Sequence, residues 1–386
     1  MANMNVDTDA KTRKWTDLEE YVIYSAEAEF PLILSSEREN TKLYPDRYID
    51  FKINLGKEHD KVDYENTLSS FHEELDKLFS GEPNNNNMNA KKEIYDNIMV
   101  LTRHGKGHIE SVIMHASSMI KYIENDKEKW RIKPFEAFIL LCAIQIHDLG
   151  NKYGRKEHTT SFYNDFIKYA EKSFITSSAL KDCIYKIARV HGGKIEDDQD
   201  TIEKAQLQRE KTIDNIDVNQ QLLAAILRFS DELADDQNRA KEINNIPEYS
   251  KIFHSYSMAL HTARVVENKM DDAYSVKLCY FLSNDEAVKQ YKKINEDGII
   301  EEVKLLDEIF NRTIKMERER RYCFRYLCPY IQINEIIVEI DISSSTFDTY
   351  TIRYTLPAKG YPIEDICIPD RDKYISQILK NTNQEG

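Results

Sequence analysis

The sequence predicts a mainly α protein, with a long helical domain followed by a smaller α+β domain at the C-terminal end. Three observations predict it. From Lys91 to Arg239 apolar residues recur at three- and four-residue spacing, the period of helices that turn one face to a core. After Pro247 the pattern changes to stretches that alternate every second residue, the period of strands. No internal repeat runs through either part, which excludes a solenoid. The predicted organisation is an N-terminal extension over residues 1–90, a helical domain over 91–246 and an α+β domain over 247–386.

The elements follow in order. Leu18 to Phe30 reads as a helix, Tyr44 to Leu55 alternates weakly, and Tyr64 to Phe79 reads as helical. Gly81 to Asn89, GEPNNNNMN, is polar apart from Met88 and reads as a surface loop. Six helices are then predicted: Glu93–Thr102, Gly107–Glu124, Pro134–Ile146, Thr159–Ser173, Ala179–His191 and Asn219–Asp235. Pro134 stands in a first turn, where its missing N–H costs nothing, and Gly192 and Gly193 stand where a helix stops. Phe253–Val266 and Tyr274–Leu282 are predicted strands joined by a turn over Glu267–Asp272. Glu301–Leu327 is predicted as a charged amphipathic helix, and Ile331–Ile342 and Thr349–Leu356 as two further strands. The Met316–Leu327 segment, MERERRYCFRYL, is dense in arginine, with Glu302, Asp307, Glu308, Glu317 and Glu319 interspersed. It reads either as a salt-bridged exposed face or as an anion-binding face. A helix packed on two hairpins suits homo-oligomerisation or effector binding.

Hydrophobic residues make up 41% of the 386 and charged residues 31%, enough apolar material for a core, so the chain is not disordered overall. The net charge of −14 argues against binding to the phosphate backbone of nucleic acid. The six cysteines form no CxxC pair and read as reduced thiols of a cytoplasmic protein. The first fifteen residues lack the apolar run of a signal peptide. Phe138 to Ile146, the longest apolar run, is too short to span a bilayer, so it reads as a buried helix and no membrane partner is expected.

Four stretches place metal-binding or ionisable side chains on, or at the end of, strongly apolar helices. They are RHGKGHIESVIMHA with His104, His108 and His115, CAIQIHDLGN with His147 and Asp148, KIARVHGG with His191, and AAILRFSDELADD with Asp231. Asp231 lies four residues beyond Leu227 and eight beyond Leu223, so it continues a core-facing stripe. A bare buried carboxylate is costly and calls for a cation or several donors. Imidazole together with carboxylate suits a divalent ion. The alternative for Asp231 is a helix-surface or N-cap carboxylate, and for each histidine alone a hydrogen-bonded core residue.

The ordered series of His108 in GHIESVIMHA, the His147-Asp148 dyad followed by Leu149-Gly150, and Asp231 in ILRFSDELAD resembles the HD phosphohydrolase superfamily over about Arg103 to Arg239. The resemblance implies a helical HD-type domain in which His108, His147, Asp148 and Asp231 hold a divalent metal (Mn, Fe, Mg, Zn or Ni). His158 in KEHTTSFYNDF and His191 fall where members with two metals add histidines, so one or two ions per chain are implied. Asp148, His158 and His191 would be the catalytic members, with Asp148 either bridging two metals or orienting the attacking water. His191 is followed by glycine and no GYP motif follows, which departs from the pattern of cyclic-dinucleotide phosphodiesterases. Lys106, Lys152 and Arg155 flank the main motifs and either hold substrate phosphates or are solvated charges. Arg239 reads as an i,i+4 partner of Asp235. His104 either shares a helix face with His108 or ends the preceding loop, and His115 reads as a core or supporting residue. His59, His72, His254 and His261 have no supporting pattern and read as structural or surface residues.

The implied function is metal-dependent hydrolysis of a small phosphorylated substrate, in the first instance a nucleotide. Two alternatives stay open: a catalytically weak nucleotide-binding module that signals through the C-terminal domain, and a helical scaffold whose histidines and aspartates are ordinary polar core groups.

Overall fold

The computed structural model describes residues 14–33, 41–62, 102–153, 158–192, 195, 199–240, 246, 248–268, 273–294, 299–343, 349–358, 366–376 and 378. The expected helix at Tyr64–Phe79, the loop at Gly81–Asn89, most of the helix at Glu93–Thr102 and most of the turn at Glu267–Asp272 lie outside them.

The helical part is built around one apolar helix. In chain order come α1 (Asp17–Ile23), α2 (Tyr44–Val62), α3 (Lys106–Ile120), α4 (Pro134–Ile146), α5 (Tyr163–Lys172), α6 (Ser178–Arg189), a single turn α7 (Thr201–Lys204) and α8 (Gln220–Leu233). Every residue of α4 is buried. Apart from Glu136 and Gln145, PFEAFILLCAIQI is apolar on all sides, and such a helix is stable only when neighbours cover its whole circumference. Helices α1, α2, α3, α6 and α8 supply that cover. Pro134 occupies the first turn as expected. The buried Glu136 carboxylate accepts from the backbone N–H groups of Lys133 (3.1 Å) and of Asn219 (2.9 Å). Asn219 in turn caps α8 by accepting from the Leu222 N–H. One carboxylate thus ties together the starts of α4 and α8, the helices that carry the acidic residues of the site.

The C-terminal part contains α9 (Lys251–Ala259), β5 (Leu260–Asn268), β6 (Ala273–Ser283), α10 (Asn284–Val288), β7 (Gln290–Ile294), β8 (Ile300–Lys304), α11 (Leu305–Leu327), β9 (Ile333–Ser343) and β10 (Thr349–Pro357). Four of the strands form one sheet in the order β10-β9-β6-β5. Strands β5 and β6 pair antiparallel, as do β9 and β10, whereas β6 and β9 run parallel. Parallel neighbours need a crossover, and here it contains α10, the β7–β8 hairpin and α11. Ile336, Val338, Ile340 and Ile342 of β9 are buried at alternate positions, and α11 packs between this sheet and α8. No helix among the described residues is long and apolar enough to cross a membrane.

Several sequence expectations need correction. Tyr44–Leu55, read as weakly alternating, is the first part of the 19-residue helix α2, where Tyr44, Tyr48, Phe51 and Leu55 make one buried stripe. Phe253–Val266, read as a strand, is most of α9 followed by most of β5; Ile252 and Tyr256 sit four apart on the buried face of α9. The helix expected to start at Glu301 starts at Leu305, because residues 300–304 pair with β7. The helix expected to reach Glu124 stops at Ile120, and β1 (Lys121–Glu124) turns back into β2 (Lys127–Trp130). A second short hairpin joins β3 (Lys211–Ile213) to β4 (Ile216–Val218). Both hairpins turn on two residues with positive φ, Asn125-Asp126 and Asp214-Asn215. That backbone pairs well with strand twist, but neither dipeptide contains the glycine that makes such turns conspicuous in a sequence.

The arginine-dense segment of α11 is neither an exposed ion-paired face nor a free anion-binding one. Glu317 is fully buried and accepts from Arg320 through Nε (2.6 Å) and Nη2 (2.7 Å), and from Arg321 Nε (2.7 Å). Arg320 also donates to the Ile333 carbonyl (2.9 Å), tying α11 to β9. Arg325 turns to Asp200 and Glu203. Removing Glu317 leaves two buried guanidinium groups without their shared counter-charge. Glu317→Ala is therefore expected to cost about 3–5 kcal/mol, seen as a lower midpoint in urea unfolding; an unchanged midpoint would contradict the buried cluster.

Candidate metal centre

Five segments deliver the site. His108 lies in the first turn of α3, and its ring turns inward, 2% exposed. His147 caps the C-terminal end of α4 and is fully buried, and Asp148 follows it at once. The chain then makes a 3-10 turn (Leu149–Tyr153) and returns at His158, which is buried. His191 follows the end of α6, and Asp231 sits in the last turn of α8. Asp231 is less buried than the stripe predicted. Leu223 and Leu227 are fully covered, but its side chain keeps 22% exposure, which places the carboxylate at the open edge of the cluster.

The ligand atoms of His108, His147, Asp148 and Asp231 lie within 4.8 Å of one another, and so do those of Asp148, His158 and His191. The first group comprises two imidazoles and two carboxylates. His108 Nε2 stands 3.0 Å from Asp231 Oδ1 and 3.3 Å from Asp148 Oδ2. His147 Nε2 stands 3.4 Å from Asp148 Oδ2 and 3.5 Å from Asp231 Oδ1. Despite these distances neither Nε2 forms a hydrogen bond; both are buried and unpartnered. Ring nitrogens that approach carboxylate oxygens without aligning to them suit a shared cation better than direct pairing, and a mixed imidazole–carboxylate set suits a divalent one.

The neighbouring contacts prepare the donors. His147 Nδ1 donates to the Ile144 carbonyl (2.8 Å) and His191 Nδ1 to the Ala188 carbonyl (2.7 Å). A proton fixed on Nδ1 leaves the Nε2 lone pair for a metal. Asp148 faces both groups: Oδ2 looks toward His108 and His147, while Oδ1 lies 3.6 Å from His191 Nε2 and accepts from Asn151 Nδ2 (2.8 Å). Without a metal ion the same groups pair electrostatically with one another. Burial disfavours charge on His147, but the carboxylates of Asp148 and Asp231 outweigh it and raise the pKa to about 10. Burial opposes charge on the two aspartates as well, yet the surrounding imidazoles hold both well below the usual carboxylate range. The site is a point where two buried anions are stabilised by positive charge on the imidazoles around them.

The other candidates are placed as follows. His104 reaches the cluster, with Nε2 3.9 Å from Asp148 Oδ2. Its Nδ1 bonds the Thr102 carbonyl, and its Nε2 accepts from Arg239 Nη2 (2.6 Å). With both nitrogens engaged, His104 flanks the histidine–aspartate cluster without joining it. Lys106 is not brought to the cluster; its ammonium pairs with Asp60 (2.8 Å). Only the backbone of Lys152 is described, and Arg155 lies outside the described residues. His115 is partly buried, and burial lowers its pKa to about 4. His59 and His254 are buried, His261 packs on Phe281, and His72 lies outside the described residues.

Sequence reasoning missed two residues at the site. Arg239 does lie near Asp235, 3.6 Å away, but its Nε also donates to the Arg103 carbonyl (3.1 Å), and this places the guanidinium beside His104. Asn151, three residues after Asp148, carried a local signal: a side-chain amide at that spacing in a tight turn can reach back to the carboxylate.

The HD-CE family model matches residues 98–295 of the chain, just over half of it. The match contains the whole cluster and runs on through α9, β5, β6 and α10 to the end of β7. No curated protein and no solved structure matches the chain.

Gly150 shows how tightly the return to His158 is packed. A Cβ built there would lie 1.9 Å from the His158 carbonyl oxygen, and 2.6 and 2.8 Å from the same residue's carbonyl carbon and Cα. Backbone cannot swing aside as a side chain can. Gly150→Ala is expected to cost about 1–3 kcal/mol. At Gly107 a Cβ meets nothing within 4 Å, and Gly107→Ala is expected to gain about 0.4–1 kcal/mol. Denaturation midpoints of the two variants check the contrast, and a Gly150→Ala protein as stable as the parent would refute the close approach.

Proposed function

The chain belongs to the HD-CE family, an HD-domain family, and on that footing we propose that it is a metal-dependent phosphohydrolase acting on a nucleotide or another small phosphoester. The observation that carries the proposal is the convergence of His108, His147, Asp148 and Asp231 on one point, with the buried Nε2 atoms of both histidines unpartnered. A helical scaffold with ordinary polar core groups gives those atoms hydrogen bonds.

In this reading His108, His147, Asp148 and Asp231 hold one divalent ion, and Asp148, His158 and His191 offer a second place that shares the Asp148 carboxylate. A divalent ion so held supplies Lewis acidity and a hydroxide at neutral pH. The chain's own residues do the rest. The carbonyls of Ile144 and Ala188 keep His147 and His191 in the tautomer that presents Nε2. Asn151 holds Asp148 so that its two oxygens face different groups. Asp231, at the open edge, faces the side from which a substrate enters. Arg239, only 10% exposed on its side chain and aimed at His104, holds positive charge near the cluster. That charge favours a transition state whose negative charge spreads over phosphoryl oxygens.

Loss of a supporting partner of a metal ligand costs about 10–100-fold in metal affinity or activity, and that is the expectation for Asn151→Ala. Asp231→Ala removes a ligand itself. It is expected to lose metal and turnover more severely while keeping its helical circular dichroism. Metal content by mass spectrometry, together with phosphate or pyrophosphate release from nucleotides in Mn²⁺, reads both. Full metal retention and rate in Asp231→Ala would sink the proposal.

A further inference from the structure

A second concave site lies away from the metal centre. It is a cleft of about 480 Å³ between the segment before α1, one face of α2 and one face of α3. Ile53, Gly56, Lys57 and Asp60 line it from α2 at three- and four-residue spacing, and Lys106, Ile109 and Glu110 line it in the same way from α3. His108 points about half a helical turn away from that face. Gln145, which forms part of the wall, likewise precedes the ligand His147 by two residues on α4. The cleft and the metal centre therefore use opposite sides of the same two helices, and no member of either metal-binding group lines the cleft.

Its chemistry is unusual for this chain. Lys14, Lys52, Lys57 and Lys106 line it against two carboxylates, Asp60 and Glu110, in a protein whose net charge is −14. Lys52 pairs with Glu19 and Lys106 with Asp60, whereas Lys14 and Lys57 make no ion pair among the described residues. Trp15 adds an aromatic wall, and Ile53, 44% exposed, an apolar rim. Gly56 forms part of the floor, and a Cβ there would make only ordinary contact with the Lys106 side chain at 3.5 Å. The decisive group is Gln145. It is 1% exposed, its Nε2 donates to Tyr48 Oη (3.3 Å), and its Oε1 is buried with no partner. His59 beside it is spoken for, bonded through Nε2 to the Gln145 carbonyl (2.7 Å). A buried amide oxygen requires a donor, and Gln145 is one of the residues that line the cleft.

We propose that this cleft is a nucleotide-binding site separate from the metal centre, with phosphates on Lys14 and Lys57 and a base N–H donated to Gln145 Oε1. Unpaired ammonium groups match phosphate. A flat ring with an N–H edge matches Trp15 and the amide oxygen together, which inorganic phosphate cannot do. The volume is within the range of small-molecule sites. The shared helices α3 and α4 give the occupant direct purchase on the segments that carry His108, His147 and Asp148.

The test keeps the metal centre out of the measurement. ADP and GDP are titrated calorimetrically in EDTA against the full chain carrying Asp231→Ala, with pyrophosphate as the anion-only probe. One nucleotide is expected to bind per chain, at least about tenfold more tightly than pyrophosphate. Adding Lys14→Glu and Lys57→Glu, both exposed positions that leave the core intact, is expected to weaken it by about tenfold or more. Gln145→Met is expected to weaken the nucleotide and leave pyrophosphate unchanged. The proposal is overturned if neither nucleotide binds, if pyrophosphate binds as tightly, or if the lysine variants bind as well as the parent. Because no metal is present, failure here leaves the hydrolase reading standing, and failure of the hydrolase assay leaves this one.

Discussion

Two carboxylates, Asp148 and Asp231, meet at the buried end of α4, and the rest of the helical part is arranged so that they can. Carboxylates this close and this covered are tolerable only opposite positive charge. The chain concentrates imidazoles around them and fixes the orientation of those rings with backbone carbonyls at Ile144 and Ala188. Rigidity comes from α4. It is buried along its whole length, and close packing there holds the dyad at its C-terminal end. Glu136, at the other end of the same helix, anchors the N-cap residue of α8 and so fixes the helix that carries Asp231.

The C-terminal part braces this assembly. Helix α11 lies along the outer side of α8, and charged pairs cross the contact: Arg228 with Glu319 at 2.6 Å, Lys315 with Glu232, and Arg312 with Asp235 at 3.3 Å. Asp235 also faces Arg239, and Arg239 reaches His104 beside Asp148. A continuous run of contacts thus links the helix that crosses over the sheet with the edge of the histidine–aspartate cluster.

Much of this was legible in the sequence where one helix both buries a stripe and ends in a polar exception. The spacing of Asp231 behind Leu223 and Leu227, and of His147-Asp148 behind the most apolar run, selected residues that the fold gathers at one place. Pro134–Ile146 was readable to the residue because proline and composition mark both its ends. The misreadings have physical causes. The two short hairpins turn on Asn-Asp and Asp-Asn pairs, which take positive φ without glycine. Residues 253–266 contain two elements whose patterns overlap. Segment 300–304 owes its extended form to pairing with β7, an interaction that no local propensity records. The role of Arg239 depends on a contact with residues 103 and 104, more than a hundred positions away, and the cleft beside Gln145 depends on three segments distant in sequence.

The strand order of the C-terminal sheet bears on how the protein can be divided. The family match ends at residue 295, yet β6, inside it, is hydrogen-bonded along one entire edge to β9, which lies outside it. Cutting the chain there would strip β6 of its parallel neighbour and expose a long apolar edge, an invitation to intermolecular pairing. The same cut would unroof α8 by removing α11. The family match and structural self-sufficiency therefore have different borders in this protein, and a fragment chosen by the former would be prone to aggregate for reasons unrelated to its chemistry.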